Sequence, residues 1–409
     1  MRKNETLQPE QLQVAIIGAS LESVHAVKTA RKMGASVIAL DDDENAVGFQ
    51  YANTSLRVNI KDHAQLYRIF DEYRPKMVLP APIGRYLTSI GAVNDHYGLP
   101  GVTSQAAVAC TDKHLFHMLL HEKGKRQAEH ILVNATDAEP LNTFRSFQYP
   151  VVAKPRYGSG NRAVQIYMDP RDFQKNFLSL LPLGEDFVVE SCVQGVEYGL
   201  DAAMIHNTLH LVLLREKVLT PYPYSQCVGY YSVRENASNS TLFHNVRTSV
   251  AETCKILGIN DCLLHADVMY NDAGAFVIEV SARPSGHNLH NLFTPLATGV
   301  DIIAEYLHFA LPQLEKAYSF TPEETKNMLI RYFDFAHCRV KYLPDSDGMK
   351  TRDYIRDYKC NLQAGEVLQP VKDGPSLMRR GYFIVEGADR GELDVLSKEI
   401  MSQFVLEDA

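Results

Sequence analysis

Apolar positions along the first hundred residues switch between continuous runs and one-sided stripes. Val14-Ala15-Ile16-Ile17-Gly18 is continuous, as a strand buried on both faces requires. Residues 21–33 carry their apolar side chains on one helical face and stop at Gly34. Val37-Ile38-Ala39-Leu40 is a second strand, ending in Asp41-Asp42-Asp43, residues 62–73 are a helix, and Met77-Val78-Leu79 is a third strand. This βαβαβ order predicts a parallel sheet covered on both faces. A helix begins near Lys113, capped by Thr111 or Asp112, and ends at Gly124. Residues 125–150 are polar and irregular, broken by Pro140 and Pro150. The pattern then predicts a hairpin over 151–167, a helix over 171–181, and strands at 186–191, 197–205 and 208–216. Residues 217–240 read as a long tyrosine-rich loop, followed by a helix over 247–257 that stops at Gly258. Strands 262–270 and 275–281 are joined by the turn Asn271-Asp272-Ala273-Gly274, and 300–310 is a helix. Beyond 330 the chain is β-rich (331–333, 365–368, 381–385) and closes on a helix over 389–403.

Composition narrows the class. A chain of 409 residues predicts two or three domains, and 45% hydrophobic with 22% charged residues is globular. The net charge of −8 argues against nucleic acid as a partner. No stretch approaches the ~18 apolar residues of a membrane span, so no membrane partner is expected. The N-terminal MRKNETLQPEQ has neither an apolar core nor a cleavage site, and the seven cysteines are dispersed without a CxxC pair. Both point to reduced thiols and a cytoplasmic location. Cys192 and Cys262 sit in apolar, strand-like runs and read as packing residues.

Two segments carry candidate chemistry. In Val151-Val152-Ala153-Lys154-Pro155-Arg156-Tyr157-Gly158-Ser159-Gly160, a β-branched strand delivers one lysine into a glycine-containing loop. Such a loop lets backbone N–H groups approach phosphate oxygens while the lysine supplies charge. Gly158-x-Gly160-x-x-Ala163 superficially matches a dinucleotide fingerprint, which needs a helix after its glycines. Val164-Gln165-Ile166-Tyr167 alternates like a strand instead. An ordinary hairpin with an exposed lysine fits the same residues. Gly18-Ala-Ser-Leu-Glu-Ser lacks the further glycines of a cofactor-binding turn, so the first sheet reads as a structural half-Rossmann unit. In the second segment, Asp267 lies on one predicted strand and Glu279 and Ser281 on the next, with Arg283 two residues further. Converging carboxylates repel one another and lose hydration, and a divalent cation relieves both costs. Two exposed acids on a polar hairpin face are the plainer alternative.

Taken together, Lys113, Lys154, Glu190, Glu197, Asp267, Glu279, Ser281 and Arg283 occur in an order and spacing that resemble the ATP-grasp superfamily. The resemblance implies a mixed α/β and α+β architecture of three parts. These are an N-terminal Rossmann-like pre-ATP-grasp domain over 1–110, a central ATP-grasp domain over 111–330 with a flap at about 125–190, and a C-terminal β-rich cap over 331–409. It implies ATP and Mg²⁺ (or Mn²⁺) as cofactors. Lys113 and Lys154 would contact phosphates, with Ser159 in the flap loop, and the backbone around Glu190, Cys192 and Val193 would read adenine. Glu197 would hold the ribose hydroxyls, while Asp267, Glu279 and Ser281 would bind metal. Lys154 and Arg283 would be catalytic, Arg283 near the reacting carbonyl. The sequence departs from the family pattern at Asp267, where glutamate is usual, and at Ser281, where asparagine is usual.

Within the superfamily, Glu279-Val-Ser-Ala-Arg283-Pro-Ser-Gly286-His287-Asn288 is most similar to L-amino-acid ligases and related carboxylate–amine ligases. That implies activation of a carboxylate, an amino acid being the expected case, as an acyl phosphate, then transfer to an amine with release of ADP and phosphate. The partners are then a small-molecule carboxylate and amine, with a homodimer as the candidate assembly. Gly286, His287 and Tyr230, the last on the Pro- and Tyr-rich segment 219–231, are candidate substrate contacts. A biotin-carboxylase-like or purine-pathway enzyme and a non-catalytic ATP-binding module are the alternatives.

Overall fold

A computed structural model describes residues 12–125, 127–135, 147–158, 160, 162–177, 184–221 and 225–408. The first apolar runs form a parallel sheet of β1 (Gln13–Ile17), β2 (Ser36–Asp41) and β3 (Thr54–Arg57). Met77–Leu79 runs beside β1 through a single bridge from Ala15 to Val78 rather than as a full strand. The unpredicted third strand, β3, joins the other side of β2 and has one apolar residue in Thr-Ser-Leu-Arg, too few to signal a strand. Asp41 at the end of β2 is consumed locally. Its carboxylate accepts the N–H groups of Ala19 at 2.6 Å and Asp43 at 3.0 Å, fixing the turn after β1.

Asp112, not Thr111, caps the helix Lys113–Glu122, accepting from the N–H groups of His114 and Leu115. Thr111 ends the preceding helix, Ser104–Thr111. The same Asp112 carboxylate takes two hydrogen bonds from Arg156, at 2.9 and 2.6 Å, and one from the Tyr157 hydroxyl at 3.1 Å. A helix cap thereby anchors the base of the next unit.

That unit is a four-stranded antiparallel sheet of β4 (His130–Val133), β5 (Val151–Pro155), β6 (Gln165–Tyr167) and β7 (Phe187–Ser191), in the order β4-β7-β5-β6. Buried Tyr167, Phe173, Phe177 and Phe187 form its separate core. The predicted hairpin is therefore present as β5 and β6. The predicted helix appears as Pro170–Asn176, and the remainder of the 171–181 expectation extends beyond the described residues.

The body is one antiparallel sheet. Its strands are β8 (Val196–Ile205), β9 (Thr208–Leu219), β10 (Cys227–Val233), β11 (Cys262–Asn271), β12 (Gly274–Ser281) and β13 (Met328–Tyr332), joined after β14 (Cys338–Tyr342) by β15 (Ile355–Cys360) and, after β16 (Val367–Leu368), by β17 (Gly381–Glu386). The order is β12-β11-β8-β9-β10-β13-β17-β15. Short β16, β14 and β18 (Val405–Asp408) form a small separate sheet. Because β13 spans residue 330, the central region and the β-rich C-terminal region share hydrogen-bonded strands.

The expected loop over 217–240 is a correction. β9 continues to Leu219, β10 occupies 227–233, and the next helix begins at Ser240 rather than 247. Tyr230 and Tyr231 are strand residues that pack into two different cores. Tyrosine suits a pleated, half-buried surface, so its density signalled a strand as readily as a loop. Tyr222 and Tyr224 lie outside the described residues. All seven cysteines are free, and among the described residues no helix is long and apolar enough to cross a membrane.

Candidate active site

The flap sheet, the body sheet and the N-terminal loops at 22 and 82–84 enclose a cavity of about 460 Å³. Nearly every site residue expected from sequence reaches it: Lys113, Lys154, Glu190, Cys192, Val193, Glu197, Tyr230, Asp267, Glu279, Arg283, Gly286 and His287. Ser281 is buried and does not line the cavity. Ser159 lies outside the described residues.

The flap side supplies cations. Lys113, the first residue of its helix, donates from Nζ to the Gly158 carbonyl at 2.9 Å, tying the loop tip to the cavity wall. Burial pushes this lysine below its ordinary range, and Glu279 pulls it back. Across the cavity, the Gly374 N–H donates to the Gly160 carbonyl at 3.2 Å, so the flap rests on the C-terminal region. Lys154 projects from β5 and pairs with Glu190 of β7 at 2.6 Å; His117 meets the other Glu190 oxygen at 2.8 Å. Burial pushes the Glu190 carboxyl up, but Lys154 and then His117 outweigh it and hold it at about 2.

The family resemblance implies adenine-reading backbone groups at Glu190, Cys192 and Val193. Glu190 is paired on both sides, to His130 and Val152, and the Cys192 N–H donates to the Pro150 carbonyl at 2.9 Å. The Val193 N–H has no hydrogen-bond partner among the described residues, which leaves it free for a planar ligand edge.

Acids converge from the body sheet. Asp267 of β11 stands directly opposite Glu279 of β12, at a bulge. Glu197 enters from β8. Between Glu197 and Asp267 lies Lys217 of β9, at 2.6 Å from one carboxylate and 2.7 Å from the other. Burial lowers the affinity of Lys217 for its proton, but Asp267 and Glu197 together raise it overall. Asp267 is held below the usual carboxylate range: burial opposes ionisation and Lys217 outweighs it. The Glu197 carboxylate is thus committed to a lysine. Glu279 has neither an ion-pair nor a hydrogen-bond partner among the described residues.

Lys217 was not anticipated, although Arg215 and Lys217 alternate within an apolar run, as two charges on one strand face would. Arg215 is fully buried against Asp201, with its second nitrogen 3.2 Å from that carboxylate and Thr294 bonding the same acid at 2.6 Å. His265 also lines the cavity; burial first, then Arg283, lowers its pKa to about 4, so it is neutral at pH 7.

Among the described residues, no cluster of three or more His, Cys, Asp or Glu side chains can hold a metal. Glu279 with Asp267 fits a Mg²⁺ ion that arrives with phosphate oxygens and keeps waters, since Mg²⁺ is commonly bound by one or two carboxylates plus substrate phosphates. It does not fit a resident all-protein site.

Arg283 follows β12. It is half-buried, has no ion-pair partner among the described residues, donates to the Pro284 carbonyl at 2.9 Å, and leaves a buried Nε without a partner. Burial lowers its pKa, and Glu279 then Glu22 counteract that. His287 packs beside it, its pKa lowered chiefly by burial.

An antiparallel body sheet, a small flap sheet over it and facing lysines and acids between them define an ATP-grasp fold. Residues 147–290 match the ATP-grasp domain family. Over 170 residues the chain is 28% identical to the carbamoyl phosphate synthase large chain of Ralstonia nicotianae, a stretch covering 40% of this chain and 15% of that protein. The L-amino acid ligase of Bacillus licheniformis superposes with a TM-score of 0.79 at 15% identity, covering 98% of this chain and 100% of the other. N5-carboxyaminoimidazole synthetase from Staphylococcus aureus, solved with ADP, gives 0.69 at 14% identity, covering 96% and 98%. The chain spans less than half the length of the curated relatives it matches.

Proposed function

We propose that this chain is an ADP-forming carboxylate–amine ligase whose carboxylate substrate is an amino acid. The observation that carries this reading is Arg283, a half-buried guanidinium without a carboxylate partner among the described residues and with its Nε shut off from water, in the same cavity as Lys113, Lys154 and the unpaired Glu279. A cationic group whose donor is shut off from water is costly to leave unpaired unless an anion joins it. Lys154 lies on the flap sheet, Lys113 at the start of its helix, Asp267 and Glu279 on the body sheet, and Arg283 in the loop that follows β12.

In this reading Val193 meets the adenine edge, and Lys113 and Lys154 neutralise the phosphates. ATP as a cofactor agrees with the ADP carried by the staphylococcal relative. Mg²⁺ held by Glu279 and Asp267 would withdraw charge from the γ-phosphate. A substrate carboxylate oxygen attacks that phosphorus, the bond to ADP breaks, and an acyl phosphate forms. An amine then attacks the acyl carbon, loses a proton and expels phosphate. Arg283 holds the carboxylate and then the oxyanion, and the closed flap excludes water.

The test is product analysis with ATP, Mg²⁺ and pairs of amino acids, with bicarbonate and simple acids as comparators. The expected result is ADP, phosphate and an amide in equal amounts. AMP as product, or ADP release with bicarbonate alone, would refute the assignment. ATP binding with no substrate-stimulated release would point to a non-catalytic module.

A further inference from the structure

Resting on the ligase reading, we propose that Glu22 selects the substrate by binding the ammonium group of an amino acid whose carboxylate is held by Arg283. Glu22 does not come from the ATP-grasp body. It lies in the single helical turn Leu21–Ser23 after β1, and it reaches across to the loop that follows β12. There the His287 N–H donates to its Oε1.

The contact is built rather than incidental. A Cβ on Gly286 would lie 3.0 Å from both Glu22 oxygens, so glycine leaves the room the carboxylate occupies. The receiving loop is fixed from its other side. The Tyr332 hydroxyl donates to the His287 carbonyl at 2.6 Å, and Gly374 packs against the His287 ring so closely that a Cβ there would lie 2.5 Å from it. Glu22 is therefore held in position before any substrate arrives, which favours recognition over adaptation.

One oxygen remains free. Oε2 has no hydrogen-bond or ion-pair partner among the described residues, and a carboxylate has roughly four acceptor positions. Neighbouring His287 does not supply the missing cation, because burial favours its neutral form. Arg283, in the same cavity, shows the complementary deficit: its Nε is buried without a partner. An unpaired anion and an unpaired cation in one cavity suit a zwitterion. A simple carboxylate or bicarbonate satisfies only Arg283, and a phosphorylated substrate meets repulsion from Glu22.

The experiment compares ADP release by the full chain with a panel of L-amino acids and the deaminated acid of each, such as L-alanine against propionate and L-phenylalanine against 3-phenylpropionate. Wild type and Glu22→Gln are measured, with ATP affinity and thermal melting on the same preparations. Glutamine preserves the acceptor for the His287 N–H but removes the charge. The wild type should prefer the amino acid. Glu22→Gln should raise its KM about ten- to a hundred-fold, the worth of a charge-assisted hydrogen bond. The change in kcat should be smaller, the KM for the deaminated acid should hold, and ATP affinity should be unchanged. Glu22→Asp should lie between. An unchanged amino-over-deaminated preference in a melting-competent Glu22→Gln would overturn the role of Glu22 and leave the ligase reading standing. Absence of ADP release by wild type with every carboxylate would overturn the ligase reading itself, and this inference with it.

Discussion

In a Glu190→Gln variant, Lys154 loses the carboxylate 2.6 Å away and His117 loses its partner at 2.8 Å. The Glu190 carboxyl titrates at about 2 in the folded chain, against an unperturbed 4.5. At roughly 1.4 kcal/mol per pKa unit, the ion cluster contributes about 3 kcal/mol at neutral pH. Because the folded pKa is depressed, that stability is fully present above the unfolded pKa and is lost as pH falls through the folded one. The contribution should therefore shrink from about 3 kcal/mol at pH 7 to about 2 kcal/mol at pH 3.5. The chain has no tryptophan, so urea unfolding is best followed by circular dichroism and by hydrogen exchange of β5 and β7. Lys154→Met should cost markedly less in the Glu190→Gln background than in wild type, since neighbours in one ion network are not additive. A destabilisation at pH 7 below about 0.5 kcal/mol, the usual range of an unremarkable surface change, would refute the reasoning. So would identical losses at pH 7 and 3.5.

Three further outcomes follow from the cavity. Lys217→Met leaves Glu197 and Asp267 facing each other without their shared cation and should destabilise the apo chain by about 3–5 kcal/mol, whereas Lys217→Arg should retain most of that; calorimetry without nucleotide decides it. Glu279→Gln should collapse turnover and raise the Mg²⁺ concentration needed for half-maximal rate, while the apo melting temperature stays near wild type because Glu279 has no protein partner among the described residues; an unchanged Mg²⁺ profile would remove it from the metal. Arg283→Lys keeps the charge but loses the planar fork, so ATP affinity should hold while ligation falls ~10²–10³-fold; parallel loss of ATP affinity would return Arg283 to the nucleotide or the fold.

The sequence by itself determined many of the local elements and most of the cavity's membership, but not β3, β10, or β4 within the segment 125–150 that reads as irregular. Periodicity suffices where an element is buried in a simple pattern, as in β1, β11 and β12, or bounded by a clear signal, as at Gly258. Lys154, Asp267, Glu279 and Arg283 were legible because a charge set within or beside an apolar strand is costly to desolvate and so marks a place where an opposite charge or a ligand must meet it, whereas Lys113 was legible only through the family resemblance. Tertiary structure alone decided which charges neutralise each other. Glu190 holds Lys154, and Glu197 holds Lys217, because strand pairing brings β7 to β5 and β8 to β9. It also decided that Ser281 lies away from the cavity and that 217–240 contributes strands, since β10 is stabilised by β9 on one side and by β13, about a hundred residues later, on the other. Glu22 is the extreme case. Nothing local distinguishes it in Gly-Ala-Ser-Leu-Glu-Ser, and its partner lies 265 residues away. Local propensity acts over a few residues, whereas ion pairing depends on distance in space, and only the packed sheets bring those residues within range.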